Sequence, residues 1–331
     1  MKHEPRRLAI VGFGSIGRQH REALARVAKK TEIVLVRGLG GVQPGKDQFS
    51  LETVYSLEDA INMGVEGAII ASPASAHISQ ARELLEAGIG LLIEKPLSDQ
   101  LGDAVDFALF SGQKKAVCLI GYLLRYSTAA ADFKRMLDDE LGEILHVQVE
   151  CGSYLPDWRP HIDYRKAVSA QRHLGGGVLL ELSHEIDYLN WLFGPFSSVS
   201  GYLGHSGCFE IDVEDSADVV IRTESGKSIN LHLDFNRRHR RRFCIVQAEN
   251  GELVWDINDQ TLTWNPASGA KIETRYEISK ENLLDKQISH FLDCLAGKDL
   301  PRVGLDDGIE VLHVVDAIRR SDMERRWVDL R

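Results

Sequence analysis

Gly12, Phe13, Gly14, Ser15, Ile16 and Gly17 form a G-x-G-x-x-G turn, a spacing suited to holding a pyrophosphate. Gly12 permits a tight turn, Gly14 lets the backbone approach the phosphates, and Gly17 lets the next helix pack closely on the preceding strand. The phosphates would sit at the helix N-terminus, where backbone N–H groups are unpaired. Lys95 follows a short apolar run and precedes Pro96. Its ammonium, kept off a helix by Pro96, can anchor a hydroxyl and stabilise a developing alkoxide. Glu181, His184 and Asp187 are spaced by three, which on a helix puts them along one face. The unperturbed pKa of an imidazole suits proton transfer near neutrality. Arg159, Tyr164 and Arg165 lie in a stretch rich in aromatic and cationic side chains. That stretch can stack on a sugar ring and clamp a phosphate or carboxylate, or it can be an ordinary ordered loop.

The elements that would position these groups follow from periodicity. Residues 8–11 read as a buried strand and 18–30 as a helix, which brackets the glycine turn as strand, turn, helix. A second strand spans 32–36. Where an acid would accept from a ribose 2′-hydroxyl, the chain has Arg37, a cation able to pair with a 2′-phosphate or simply to be solvated. The reading therefore leans to NADP over NAD. Further strand–helix units follow at 56–62, 67–71, 78–87, 90–93, 101–111 and 116–120. Ligands of open parallel sheets sit outside the carboxyl ends of the strands, so Ser72, Pro73, His77, Glu94 and Lys95 are expected beside whatever the glycine turn binds.

A length of 331 residues favours two domains, 1–122 and 123–331, with the junction near Tyr122. The second half carries strand patterns at 144–150, 199–203, 216–222, 228–235, 243–247 and 253–257, expected to form an antiparallel sheet. A single helix is expected over 178–193, and closing helices over 283–296 and 305–321. The 39 Lys and Arg against 49 Asp and Glu leave a net charge of −10, which disfavours nucleic acid and favours a small-molecule partner. The basic run 236–242 reads as a solvated hairpin in preference to a polyanion site. Cysteines 118, 151, 208, 244 and 294 form no close pair, so reduced thiols and no metal site are expected. No apolar run approaches a membrane span or a signal-peptide core, so a cytoplasmic protein is expected.

Glu94, Lys95 and Pro96, with the glycine turn before them and Gly175, Gly176, Gly177 and His184 to Asp187 after them, resemble the Gfo/Idh/MocA family of oxidoreductases. Residues 71–77, 121–126 and 251–256 are similar to it as well, so the match spans most of the chain. The resemblance implies an N-terminal Rossmann doubly wound parallel sheet and a C-terminal α/β domain with a large, mostly antiparallel sheet. It also implies NAD(P)-dependent chemistry on a sugar, cyclitol or nucleotide-linked sugar, with His184 as general acid/base. Many members carry an acid four residues before that histidine. Leu180 stands there, and Glu181 is three before, so Glu181 is a substitute site carboxylate, and Asp187 either orients His184 or satisfies a buried contact. Two other readings stay open: a glycosidase with transient redox chemistry, and a non-catalytic protein that senses dinucleotide. A free sheet face suggests a homo-oligomer through the C-terminal sheet.

Overall fold

A computed structural model describes residues 5–38, 45–46, 51–114, 116–277 and 279–330. In the N-terminal part, strands β1 (Arg7–Val11), β2 (Glu32–Val36), β3 (Gly45–Lys46), β4 (Glu52–Val54), β5 (Gly67–Ile70), β6 (Gly90–Ile93) and β7 (Cys118–Ile120) form one sheet. Its order is β3-β4-β2-β1-β5-β6-β7, and all neighbours are parallel except the short β3 on β4. Counting only the parallel strands, that is the doubly wound Rossmann order, with the switch point between β1 and β5. The strands β5, β6 and β7 are buried along their whole length, as a sheet covered on both faces requires. Helices α1 (Ser15–Val27), α2 (Leu57–Asn62), α3 (Ala74–Glu86) and α4 (Leu101–Gly112) connect them. The Ser56 side chain caps α2, accepting from the Asp59 N–H at 3.0 Å.

The second sheet is built after α5 (Thr128–Asp139). It contains β8 (Ile144–Gly152) and, past helices α6 (Val178–Glu181) and α7 (Ser183–Phe193), β9 (Phe196–Gly204), β10 (Ser216–Thr223), β11 (Ser228–Asp234), β12 (Arg241–Ala248), β13 (Gly251–Asp256), β14 (Thr261–Pro266) and β15 (Ile272–Arg275). Helices α8 (Lys280–Leu295) and α9 (Leu305–Glu324) follow, then β16 (Val328–Asp329). The sheet order is β15-β14-β13-β12-β8-β11-β10-β9-β16, antiparallel except for β8 with β11. Alternation with a period of two sorts its side chains. Val147, Val149, Leu231, Leu233, Val246 and Trp255 are buried on the inner face, where Tyr188 of α7 and Phe133 of α5 pack on Trp255 with ring centroids 5.4 and 5.6 Å away.

The chain divides into two compact units, residues 1–123 with 279–309 and residues 124–278 with 310–331. The contiguous division expected from sequence misses the return of α8. Leu295 and Phe291 of that helix lie where a side chain on Gly67 would reach, and Leu295 also covers Gly90, so α8 completes the core of the first unit. Arg26 of α1 forks onto Asp285 of α8. Strands β3, β4, β14, β15 and β16 were not expected, and the single helix over 178–193 is two, broken at Leu182 (φ −98°, ψ 20°).

Candidate active site

In the first unit the three turn glycines have three distinct surroundings. Gly12 has φ +87°, and a Cβ there would lie 2.9 Å from the Ala71 carbonyl oxygen and the Ser72 nitrogen, so only glycine fits between β1 and β5. A Cβ on Gly17 would strike the Gly12 carbonyl, the close helix-to-strand approach that the motif needs. Gly14, by contrast, is exposed, and a Cβ on it would meet nothing within 4 Å. The open space thus lies above the start of α1, whose first turn holds no acidic residue, and these residues fit a dinucleotide's pyrophosphate. Phe13, Ser15 and Ile16 line the same turn, with Ser15 exposed.

The strands adjoining β1 supply the other expected residues. Ser72 and Pro73 follow β5, and Pro73 precedes the first turn of α3; the Ser72 hydroxyl donates to Gln80 Oε1 at 2.6 Å. His77 is buried with Nε2 2.9 Å from the Ser72 carbonyl and Nδ1 2.9 Å from that of Pro96. It lies between the two turns after β5 and β6, and as a neutral imidazole it donates to one of these carbonyls at a time. Burial lowers its pKa, against the pull of the two carbonyls. Glu94 is likewise internal: its Oε1 meets His20 Nε2 at 2.6 Å and its Oε2 accepts from the Lys95 N–H at 3.2 Å. Burial is the largest influence and would raise this carboxyl, but the His20 contact together with the Lys95 charge and N–H holds Glu94 below its ordinary value. Lys95 is half-buried on the turn, before a cis bond to Pro96. Arg37 stands half-buried at the end of β2, its N–H bonded to the Val54 carbonyl at 3.0 Å, and the loop over 39–44 lies outside the described residues.

In the second unit Gly177 (φ +107°) leads into α6, and a side chain there would run into Glu214, whose Oε1 accepts from the Leu179 N–H. The break at Leu182 puts half-buried Glu181 at the end of α6 and half-buried His184 in the first turn of α7. The three-residue spacing therefore does not form one continuous helical face. Asp187 is 1% exposed, and both its oxygens are held by Arg125, Nε at 3.0 Å and Nη2 at 2.9 Å. Arg125 also lies over the Trp191 ring, 5.0 Å from its centroid. Asp187 thus serves a buried contact with Arg125, one of the two roles left open for it.

Arg159 and Tyr164 line a small pocket with Leu155, Trp158, Ile162, Ala167 and Ser169. Ser169 accepts from the Gly177 N–H at 3.1 Å, which ties this pocket to the turn before α6. Arg165 is not in that lining: it pairs with Asp163 at 2.8 Å and Glu210 at 2.7 Å, which uses the charge meant for a substrate anion. The basic run is exposed over residues 238–241, as expected, but it closes no hairpin, because β8 lies between β11 and β12. Arg237 bonds Asp234 and Glu150, Arg238 lies over the Tyr154 ring at 3.5 Å, and Arg242 reaches buried Glu185. The sequence reading missed His20, Arg125, Glu185, Glu214 and Arg242. For His20 a signal existed, since it shares the buried α1 positions Gly17, Ala23 and Leu24.

An oxidoreductase-family model described as an NAD-binding Rossmann fold matches residues 6–122, and the model of that family's C-terminal alpha/beta domain matches residues 134–330. The chain belongs to the Gfo/Idh/MocA oxidoreductase family. As in other Gfo/Idh/MocA proteins, its first unit is an NAD-binding Rossmann domain. It is 23% identical over 320 residues to scyllo-inositol 2-dehydrogenase (NAD(+)) of Bacillus subtilis (strain 168), covering 92% of this chain and 90% of that one. Among solved structures it resembles a levoglucosan dehydrogenase in complex with NADH, with TM-score 0.85 and 19% identity over 98% of this chain and 99% of the other. It also resembles the WlbA dehydrogenase of Bordetella pertussis in complex with NADH and UDP-GlcNAcA, with TM-score 0.81 and 19% identity over 100% and 99%. Among the described residues no helix is long and apolar enough to cross a membrane.

Proposed function

We propose that this Gfo/Idh/MocA protein is an NAD(P)-dependent dehydrogenase that moves hydride between a nicotinamide dinucleotide and a CH–OH carbon of a sugar, cyclitol or nucleotide-linked sugar. The observation that carries the reading is the glycine turn: Gly12 and Gly17 admit no side chain, and the space over Gly14 is open. The relatives named above, acting on an inositol or holding NADH with a sugar, support the substrate class. When bound, the dinucleotide accepts or donates the hydride. In this reading Lys95 stabilises the substrate oxygen, His184 takes or returns its proton, and Glu181 is the accompanying carboxylate. Arg159 and Tyr164 offer substrate contacts from the pocket, and Asp187 acts through Arg125. Arg37 gives the finer expectation, that NADPH binds more tightly than NADH. The partly exposed Phe243, Ile245 and Val254 on the outer sheet face favour self-association there.

The test begins with titration by NADPH and NADH, read as energy transfer from the five tryptophans. Binding supports the glycine turn, a preference for NADH removes the role of Arg37, and binding of neither leaves the proposal without its base. Turnover is then measured on scyllo-inositol, levoglucosan and UDP-sugars. Lys95→Ala and His184→Ala should each lose at least about 100-fold in kcat while keeping dinucleotide affinity. Full turnover in either variant removes that residue from the chemistry.

A further inference from the structure

Helix α7 starts one residue before His184, and its N-cap Leu182 offers no side-chain hydrogen bond to the first turn. Something else must hold that turn. Glu185, the next residue, is fully buried, and its Oε1 accepts from Arg242 Nε at 2.7 Å and Nη2 at 2.6 Å. Arg242 comes from the inner side of β12, in step with buried Cys244 and Val246, and stands opposite Cys151 of β8. Its side chain is only 19% exposed. Burial is the largest influence and disfavours its charge, yet Glu185, with Cys151 and Tyr188 beside it, raises its pKa. The other carboxylate oxygen, Glu185 Oε2, is buried and makes no close hydrogen bond, and Tyr188 and Cys151 are the polar groups that face this carboxylate.

A buried ion pair with one oxygen short of a close hydrogen bond is a poor source of stability, because apolar residues of similar volume usually do as well or better. Its attested use is to specify one arrangement among several. Here the arrangement is that of a short helix, detached from α6 by the break at Leu182 and lying on the sheet through Tyr188 and Trp255. Glu185 and Tyr188 turn toward the sheet, and His184, four residues before Tyr188, stands at the edge of that face next to Asp187 and Trp191, along which Arg125 runs. We propose that Glu185 and Arg242 are positioning residues, whose buried ion pair locks the first turn of α7 to β12 and so fixes the orientation in which His184 presents its imidazole. This rests on the reading of His184 as the proton-transfer group.

The test replaces the pair by apolar residues, Glu185→Leu with Arg242→Met, in the full-length protein. His184→Asn identifies the His184 ring signals in the NMR spectrum of histidine-labelled protein. The double variant should stay folded with no lower thermal midpoint. Its His184 ring signals should move or split, and kcat should fall at least about tenfold, with KM and dinucleotide affinity kept. Ring signals and kcat that superimpose on those of the native protein overturn the proposal. Should the double variant fail to fold, Arg242→Lys is read by the same two measurements: it keeps the charge and loses the fork, and an unchanged ring signal with unchanged kcat overturns the proposal equally. If His184→Asn itself keeps full turnover, the acid–base reading falls, and the ring signals of the pair variants alone decide whether Glu185 and Arg242 position that side chain.

Discussion

Single residues here are governed by partners that are remote in sequence. Glu94 and His20, Asp187 and Arg125, Glu185 and Arg242 are each separated by more than fifty positions, yet each pair meets within 3.0 Å. Read along the chain, either member of a pair is an isolated charge, which is why Lys95, His184 and Glu181 were legible as candidates while their supports were not. His232, on the outer face of the second sheet, is instead held by partners close in sequence. Its Nδ1 lies 2.6 Å from Asp218 and its Nε2 3.2 Å from Asp234, which is also bonded by Arg237. The Asp234 hydrogen bond, helped by Asp218 and opposed by burial, raises its pKa to about 9. A histidine raised in this way binds its proton more tightly when folded, so its stabilisation is complete below about pH 6.5, the unfolded value, and is lost as pH rises through about 9. Denaturant midpoints measured from neutral to alkaline pH should fall across that window in the native protein, and the fall should shrink in His232→Gln. Parallel curves for the two proteins would refute the assignment.

Elements show where local pattern suffices and where it fails. The strand, glycine turn and helix at the N-terminus were legible because apolar run, turn residues and helical pattern agree there. Strand β15 was not, since all four of its residues are exposed and carry no alternation. The break between α6 and α7 was hidden because Val178, Leu182 and Ile186 keep a helical rhythm straight through it. The helix break accompanies the shortened spacing between Glu181 and His184. For the glycine turn the structure separates two effects that sequence merges. Gly14→Ala meets no neighbour and should leave the thermal midpoint unchanged while weakening dinucleotide binding by about tenfold or more. Gly17→Ala drives a Cβ into the Gly12 carbonyl and should cost about 1–3 kcal/mol of stability as well as affinity. Thermal melts with dinucleotide titrations check both, and a destabilised Gly14→Ala would show that the space above the turn is not open.

At the scale of the whole molecule, fold class was readable from the order of elements, because alternating strands and helices followed by a run of strands leave few architectures. The makeup of each unit was not readable, since nothing in residues 280–295 announces which sheet that helix will cover. Leu295 and Phe291 settle it by filling the space over Gly67 and Gly90. A fragment ending at residue 122 should therefore expose the apolar surface of β1, β5 and β6, bind a hydrophobic dye and melt without a cooperative transition. A sharp melt with full dinucleotide affinity would show that α8 is dispensable. The arrangement also sets a clock on biosynthesis. Translation proceeds at about 5–20 residues per second, so on the order of 13–53 s separate the emergence of the glycine turn from that of α8. During that interval the nascent dinucleotide domain waits with an open seam, its completion set by the ribosome rather than by its own first strands.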